Sequence, residues 1–107
     1  MSNNKTPQLN IKGNLAYGKN VILSIVALAA KEISGVAGLA GKSVRIDFDG
    51  NLINIDVYLN VFYGCRVSDI AFRVQENIKR SVETMAGYKT GVVNVSVLGV
   101  KFSEENI

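Results

Sequence analysis

Histidine and tryptophan are both absent from this sequence, and cysteine and proline occur once each. Without histidine, the chain lacks the commonest general base and a favoured metal ligand. The single cysteine, Cys65, excludes a disulfide within the chain and therefore the disulfide framework of small secreted domains. With only four Tyr and four Phe, the core has to be built mainly from Val, Ile, Leu and Ala.

A strong charge of either sign is also missing. Twelve Lys and Arg face nine Asp and Glu, a net charge of +3, and the basic residues are spread along the chain with one adjacent pair, Lys79-Arg80. A nucleic-acid binder usually gathers its basic residues on one helix or stripe, so this distribution favours an ordinary solvated surface. The unpaired thiol and the polar start from Met1 to Gln8, without the apolar core of a signal peptide, predict a cytoplasmic protein.

The 107 residues, 48% hydrophobic and 20% charged, fit a single globular domain. We expect a disordered N-terminal arm over residues 1–8, one domain over 9–102 and a frayed tail over 103–107. The longest apolar segment runs from Val21 to Ala30 and predicts a helix as far as Ile33, ended by Gly35. Thirteen helical residues reach only about 20 Å, too short for a hydrocarbon core of about 30 Å.

That first helix is more apolar than burial of one face requires. Ile22, Ile25 and Val26 recur with Ala29 and Ile33 on one side and are expected to pack on a sheet. Leu23 and Leu28 fall on the flanks, where they either pack on a second helix or meet another subunit.

Alternating residues predict a β-hairpin after a glycine-rich loop over Gly35–Gly41. Val44–Phe48 is the first strand, Asp49-Gly50-Asn51 is the turn, and the return strand runs from Leu52 to Tyr63. The odd-numbered positions of the return strand are all apolar and predict the core face. The even-numbered positions form a polar face that also carries Tyr58 and Phe62.

Apolar residues at three- and four-residue steps predict a second helix from Val67 to Ala86, with ion pairs Asp69–Arg73 and Glu76–Arg80. A last strand covers Val92–Val100, with a bulge at Gly99 that we expect to turn Val100 and Phe102 inward.

The fold class is therefore α/β in the broad sense, an α+β two-layer domain. It has a small mixed sheet of three to four strands, two helices on one face and the order (β)-α-β-β-α-β, the first strand lying within Leu9–Tyr17. No element remains to cover Tyr58, Phe62 and Leu98 on the other face.

Three short motifs resemble chemical sites but lack the necessary context. Gly41-Lys42-Ser43 ends like a phosphate-binding loop, yet it follows a helix and opens a strand, the reverse of the order that such a loop needs. The segments Gly35–Gly38 and Gly38–Gly41 match the GXXG pattern of KH domains, but without basic residues between the glycines. Cys65 has no histidine to activate it. We therefore expect no enzymatic activity, no catalytic residue, no cofactor and no metal.

The chain resembles the alkaline shock proteins, or general-stress envelope response proteins, of Gram-positive bacteria. The resemblance rests on Gly13–Ile22, the Ala-rich helix ending in Glu32–Val36, the strand Ile55–Gly64, parts of Val74–Gly87, and Val93–Val97, and it spans roughly residues 13 to 102. The chain departs from that pattern at Gly18-Lys19-Asn20, where the family usually starts its helix with a hydroxyl or acidic residue, and at Cys65.

The resemblance implies a cytoplasmic, non-enzymatic protein linked to cell-envelope stress and clustered near the membrane through a membrane-anchored partner. Self-association and that partner are the expected interactions, without direct membrane insertion or a small-molecule substrate. The residues expected to carry these contacts are Leu23, Leu28, Tyr58, Phe62 and Leu98. A KH-like nucleic-acid-binding module using the glycine loop, Lys42, Arg45 and Lys79-Arg80 is the alternative, and an enzyme using Cys65 is a third hypothesis.

Overall fold

The computed structural model describes residues 18–102, which form two helices and a three-stranded sheet. The elements are α1 (Lys19–Lys31), β1 (Val36–Asp49), β2 (Leu52–Phe62), α2 (Val67–Met85) and β3 (Lys89–Lys101). The predicted α+β class, the mixed sheet and the element order are confirmed. The strand expected within Leu9–Tyr17, the arm over 1–8 and the tail over 103–107 lie outside the described residues.

The central strand of the sheet is β2, which pairs antiparallel with β1 and parallel with β3. Its odd-numbered residues from Ile53 to Val61 are each at most 1% exposed, and the even-numbered residues between them are half-buried. This alternation follows from the two-residue period of a strand. One face of the sheet therefore carries the core, and both helices pack on it.

The glycine-rich segment after α1 is part of β1 and not the loop expected from the sequence. The strand starts at Val36 opposite Val61, and its pairing with β2 shifts between Val36 and Gly38 and again between Leu39 and Val44. The second shift fits three extra residues into β1, with positive φ at Gly41 and Ser43. The glycines therefore allow an irregular edge strand, because a bulge needs backbone angles that other residues adopt at a cost.

Helix α1 runs from Lys19, with Gly18 as its N-cap, to Lys31, two residues before the predicted end at Ile33. Ile22, Ile25 and Val26 are buried together with Ala29 and Ala30, whereas Ile33 lies in the turn that follows and is half-buried. The predicted core face of the helix is therefore confirmed, except that Ala30 takes the place of Ile33.

Asn77 connects the two helices. It is the one buried polar residue in the part of the chain that the structure describes. Its Nδ2 donates to the carbonyl oxygen of Ala29 over 2.7 Å and to Glu32 Oε1 over 3.0 Å. Its Oδ1 accepts from an Arg80 guanidinium nitrogen at 2.7 Å. The last carbonyls of a helix have no partner within the helix, so Asn77 satisfies one of them at the C-terminus of α1. Arg80 is thereby held on Asn77 and does not form the predicted ion pair with Glu76, whereas the predicted Asp69–Arg73 pair is present at 3.3 Å.

Strand β3 has two bulges, and an asparagine of β2 lies against each. Asn54 Oδ1 accepts from the backbone N–H of Val92 over 2.8 Å and occupies the space where a side chain on Gly91 would lie. A Cβ on Gly99 would approach Asn60 Oδ1 to 2.9 Å. The bulge expected at Gly99 is confirmed by the register shift there. The inward turn expected after it is wrong, because Val100 is 53% and Phe102 is 66% exposed at the end of the sheet, beyond the core.

Glu83 connects the last turns of α2 to the start of β3. One carboxylate oxygen accepts from the backbone N–H of Thr90 over 3.0 Å and from its hydroxyl over 2.9 Å. These two hydrogen bonds, together with the nearby charges of Lys79 and Lys89, hold the pKa of Glu83 below its ordinary value. The bonds fix the connection between α2 and β3 most firmly when Glu83 is ionised.

Replacing the buried amide by Asn77→Ala is expected to lower the free energy of unfolding by about 1–3 kcal/mol, because the Ala29 carbonyl loses its partner in a buried setting. Urea denaturation measures the change. Thr84→Ala, on the exposed face of the same helix, is the matched control and should change stability by no more than about 0.5 kcal/mol. Equal effects of the two substitutions would contradict a structural role for the amide.

The lowered pKa of Glu83 predicts a pH-dependent contribution to stability. Since the folded state favours the ionised form, the contribution is present above the unfolded pKa of about 4.3 and is lost as the pH falls through the folded pKa. Glu83→Gln should therefore lower the urea midpoint at pH 7, and the difference from the parent should shrink at pH 3. A difference that stays constant between these pH values would show that the charge of Glu83 has no part in it.

Candidate interaction surfaces

The face of the sheet opposite the helices is mainly polar, and its side chains pair across the strands. Arg45 of β1, Asp56 of β2 and Asn94 of β3 lie in one row. Asn94 Nδ2 donates to Asp56 Oδ1 over 3.0 Å. We call this the open face, since none of the described helices lies on it. Cross-strand pairs of this kind stabilise the sheet while leaving its surface compatible with water.

Tyr58, Phe62 and Leu98 lie on or beside the open face, as expected, but their exposure differs. Tyr58 and Phe62 are half-buried, whereas Leu98, at the second bulge of β3, is 57% exposed. The irregular part of β1 partly covers Tyr58 and Leu98. The backbone of Gly41 lies so near them that a Cβ there would be 3.0 Å from Leu98 Cδ1 and 3.9 Å from Tyr58 Cβ. The expectation that no element covers these residues is therefore wrong for Tyr58 and Leu98, which lie beside the backbone of Gly41.

The two leucines predicted on the flanks of α1 have different surroundings. Leu23 is half-buried against the core and lines a shallow depression between α1 and β1 with Leu39 and Val44. Leu28 is 60% exposed. Val21, seven residues earlier on the same side of the helix, is 44% exposed. Leu28 therefore remains available on the surface as an apolar contact, and Leu23 serves mainly to complete the packing of α1 on β1.

An aromatic pair at one end of the sheet was not found by the sequence reasoning. The rings of Tyr63 and Phe102 are 4.9 Å apart between centroids, and the two residues are 62% and 66% exposed. The backbone N–H of Tyr63 donates to the carbonyl of Lys101 over 2.8 Å, which holds the ends of β2 and β3 together. Phe72, 58% exposed on α2, was also missed; it interrupts the polar face of an otherwise regular amphipathic helix.

The residues of the two rival hypotheses are not brought together. Lys42 and Arg45 lie on β1, at one edge of the sheet, whereas Lys79 and Arg80 lie on α2 beside Glu76 and Glu83. The GXXG segments fall in the turn before β1 and within that strand, not between two helices. Cys65 is exposed in the turn before α2. Within residues 18–102, no three His, Cys, Asp or Glu side chains are grouped as metal ligands would be.

Neither α1 nor α2, the helices of the described part of the chain, has the length and apolar character that a membrane crossing requires.

Comparisons with known proteins show which family and which relatives this chain is similar to. The model of the alkaline shock protein 23 family, described as having a cell envelope-related function, matches residues 40–102. The uncharacterized protein Spy1614 of Streptococcus pyogenes serotype M6 is 31% identical over 120 residues, which cover 94% of this chain and 99% of the relative. The uncharacterized protein YqhY of Bacillus subtilis is 29% identical, with 84% of this chain and 78% of the relative covered.

Solved structures support the fold. MamM-CTD variants superimpose with a TM-score of 0.57 at 20% identity, over 77% of this chain and 98% of the matched chain. At this low identity the likeness concerns the arrangement of helices and strands alone.

Adding a side chain at Gly41 should destabilise the fold, since φ is +56° there and a methyl group would press on Leu98. Gly41→Ala is expected to lower the free energy of unfolding by about 1–2 kcal/mol. In the double variant Gly41→Ala/Leu98→Ala, the clash is removed and part of the loss should be regained, which a double-mutant cycle measures in urea. Strict additivity would show that Gly41 does not touch Leu98.

Proposed function

The chain belongs to the alkaline shock protein 23 family, and from this membership we propose that it is a non-enzymatic scaffold of the cell-envelope stress response. It acts by associating with copies of itself and by binding a membrane-anchored partner. The proposal places it in the cytoplasm, at the periphery of the membrane, without insertion into the bilayer.

The observation that carries the proposal is the presence of exposed leucines on both layers of the domain. Leu28 lies on the helical layer and Leu98 beside the open face, and each is more than half exposed. Single exposed apolar residues are normal on proteins, but here each has another apolar residue on its side of the domain. Val21 is exposed on the same side of α1 as Leu28, two turns away, and Tyr58 lies with Leu98 near the backbone of Gly41. A scaffold needs contacts on more than one side, because a single two-fold contact ends in a dimer.

The polar side chains that have partners support the non-enzymatic part of the proposal. Asn77 satisfies a helix terminus, Glu83 ties α2 to β3, and Asp56 holds Asn94 across two strands. Each of these groups is engaged in a contact that stabilises the fold. General acid–base or nucleophilic chemistry would instead require such groups to converge on a shared position.

Introducing a charge into each surface tests the proposal. Leu28→Glu and Leu98→Glu should each weaken self-association at least tenfold, because a carboxylate in an apolar contact has to be desolvated. Sedimentation velocity over a wide concentration range measures the association. Pull-down from cells of a related Gram-positive bacterium, with mass spectrometry of the captured membrane proteins, measures binding to the partner.

Matched controls separate the effect of the added charge from the effect of its position on the proposed contact surface. Ser24→Glu on α1 and Thr84→Glu on α2 add the same charge at exposed positions without removing a leucine, and they should associate as the parent does. A parent that sediments as a monomer at every concentration, and whose captured partners are unchanged by both leucine substitutions, would exclude the scaffold proposal.

A further inference from the structure

Within residues 18–102, the two outer strands of the sheet, β1 and β3, have edges of very different character. On β1, the pairing with β2 is interrupted twice before Val44, Ser43 has a φ of +66°, and the regular part carries Arg45, Asp47 and Asp49. Bulges and charges are the devices by which natural edge strands avoid pairing with other chains. The β1 edge is therefore protected against the addition of a further strand.

The edge of β3 has a long stretch without such protection. Between its two bulges, Val93–Val97 pairs with β2 without a register shift, and its five residues, Val-Asn-Val-Ser-Val, contain no charge and no proline. Valine on alternate positions has a high preference for strands. The side chains of Val93, Val95 and Val97 are only partly buried, since among the strands that the structure describes β3 has a neighbour on one side alone.

Two hydrogen bonds show which backbone groups of β3 face outward. The N–H of Val92 points toward β2, where it donates to Asn54 Oδ1. The carbonyl of Val93 is bonded instead by the side chain of Gln75, which reaches it from α2 over 2.9 Å. Since the backbone groups of successive residues in a strand point to opposite sides, those of Val93, Val95 and Val97 face the free edge.

We propose that this edge pairs antiparallel with the same edge of a second copy of the chain, centred on Val95. The inference rests on the self-association in the proposed function and assigns it a surface. In this register Val95 faces Val95 of the second copy, Val93 faces Val97, and Asn94 faces Ser96. The outward N–H and C=O groups of Val95 bond to those of Val95 in the second copy, and the outward groups of Val93 bond to those of Val97. The Val93 carbonyl, which already accepts from Gln75, does so through its second lone pair. The three described strands of each copy then form one continuous sheet.

A second copy fits this edge because the segment is self-complementary. The two-fold axis through Val95 keeps valines opposite valines on the helical face and polar residues opposite polar residues on the open face, so no charge is buried or opposed. Such symmetric contacts are the commonest way in which soluble proteins form homo-oligomers. Leu28, which lies on α1 and not on β3, remains free in this dimer and provides a further contact of a scaffold.

Val95→Pro tests the edge directly. The N–H of Val95 faces outward, so proline removes a donor to the second copy without removing a hydrogen bond to β2, the setting in which strands tolerate proline. The expected result in sedimentation equilibrium is at least a tenfold rise in the dissociation constant of the dimer. Far-ultraviolet circular dichroism and thermal melting show whether the variant is folded.

A second variant does not depend on proline. Asn94→Lys/Ser96→Lys places like charges opposite each other twice across the proposed axis, which disfavours pairing, and it should also raise the dissociation constant at least tenfold. Ser68→Lys/Thr84→Lys adds the same charge on the exposed face of α2 and should leave the dimer unchanged.

The register is tested by a crosslink. In a Cys65→Ser background, Val95→Cys should give a disulfide-linked dimer on mild oxidation, because hydrogen-bonded antiparallel partners have Cα atoms about 5.5 Å apart, within the disulfide range. Thr84→Cys in the same background is the control and should remain uncrosslinked.

The outcomes distinguish this inference from the proposed function. A dimer that the proline and lysine variants form at least tenfold more weakly than the parent, together with a crosslink through position 95, supports the β3 edge. If the parent and the edge variants associate equally, the β3 edge is not the contact between copies, and the proposal of self-association is unaffected. A parent that is monomeric at all concentrations overturns both.

Discussion

The alternation of side chains along β2 is the constraint on which the rest of the structure depends. Its odd-numbered residues are fully buried, and a strand directs such residues to one face only. Both helices must therefore lie on that face, and the chain must cross from β2 to β3 through α2 to add a parallel strand. The other face is left to polar pairs such as Asp56–Asn94. A one-residue slip in β2 would exchange the two faces, so its register defines which surface the protein presents.

The polar contacts that accompany this core fix how its parts join. Asn77 connects the end of α1 to α2, Glu83 connects α2 to β3, and Asn54 fits into the first bulge of β3. Each links two elements that hydrophobic packing alone would allow to slide, because apolar contacts are non-directional. The fold therefore combines an aliphatic core that supplies most of the stability with a few directed bonds that set its geometry.

The sequence was sufficient for the elements whose pattern is local. The period of β2, the amphipathic pattern of α2 and the Asp49–Asn51 turn each determine their element, so the two-layer class and the order could be predicted. It was not sufficient where several elements meet. The glycine-rich segment looks like a loop until β2 offers it a partner, and Val100 and Phe102 stay exposed because β3 extends beyond the core. Gln75 and Asn77 act on residues 18 and 48 positions away, a relation that no local pattern reveals.

The predicted contact residues differ in exposure for the same reason. Leu28 and Leu98 are exposed, whereas Leu23 lines a depression beside β1 that is formed together with Leu39 and Val44. That depression exists only in the folded chain, so no local pattern indicates it. The Tyr63–Phe102 pair was not predicted because it joins the ends of two strands, at positions far apart along the chain. Exposure on several sides, together with an unprotected edge strand, is the physical basis for regarding the molecule as one part of an assembly.

Chemical crosslinking in living cells, followed by identification of the linked peptides, tests this view most directly. The account predicts links between two copies of the chain, recognisable as a peptide joined to itself, together with links to a membrane-anchored protein. Links confined to pairs within one copy, at a crosslinker concentration that captures known complexes in the same cells, would contradict it.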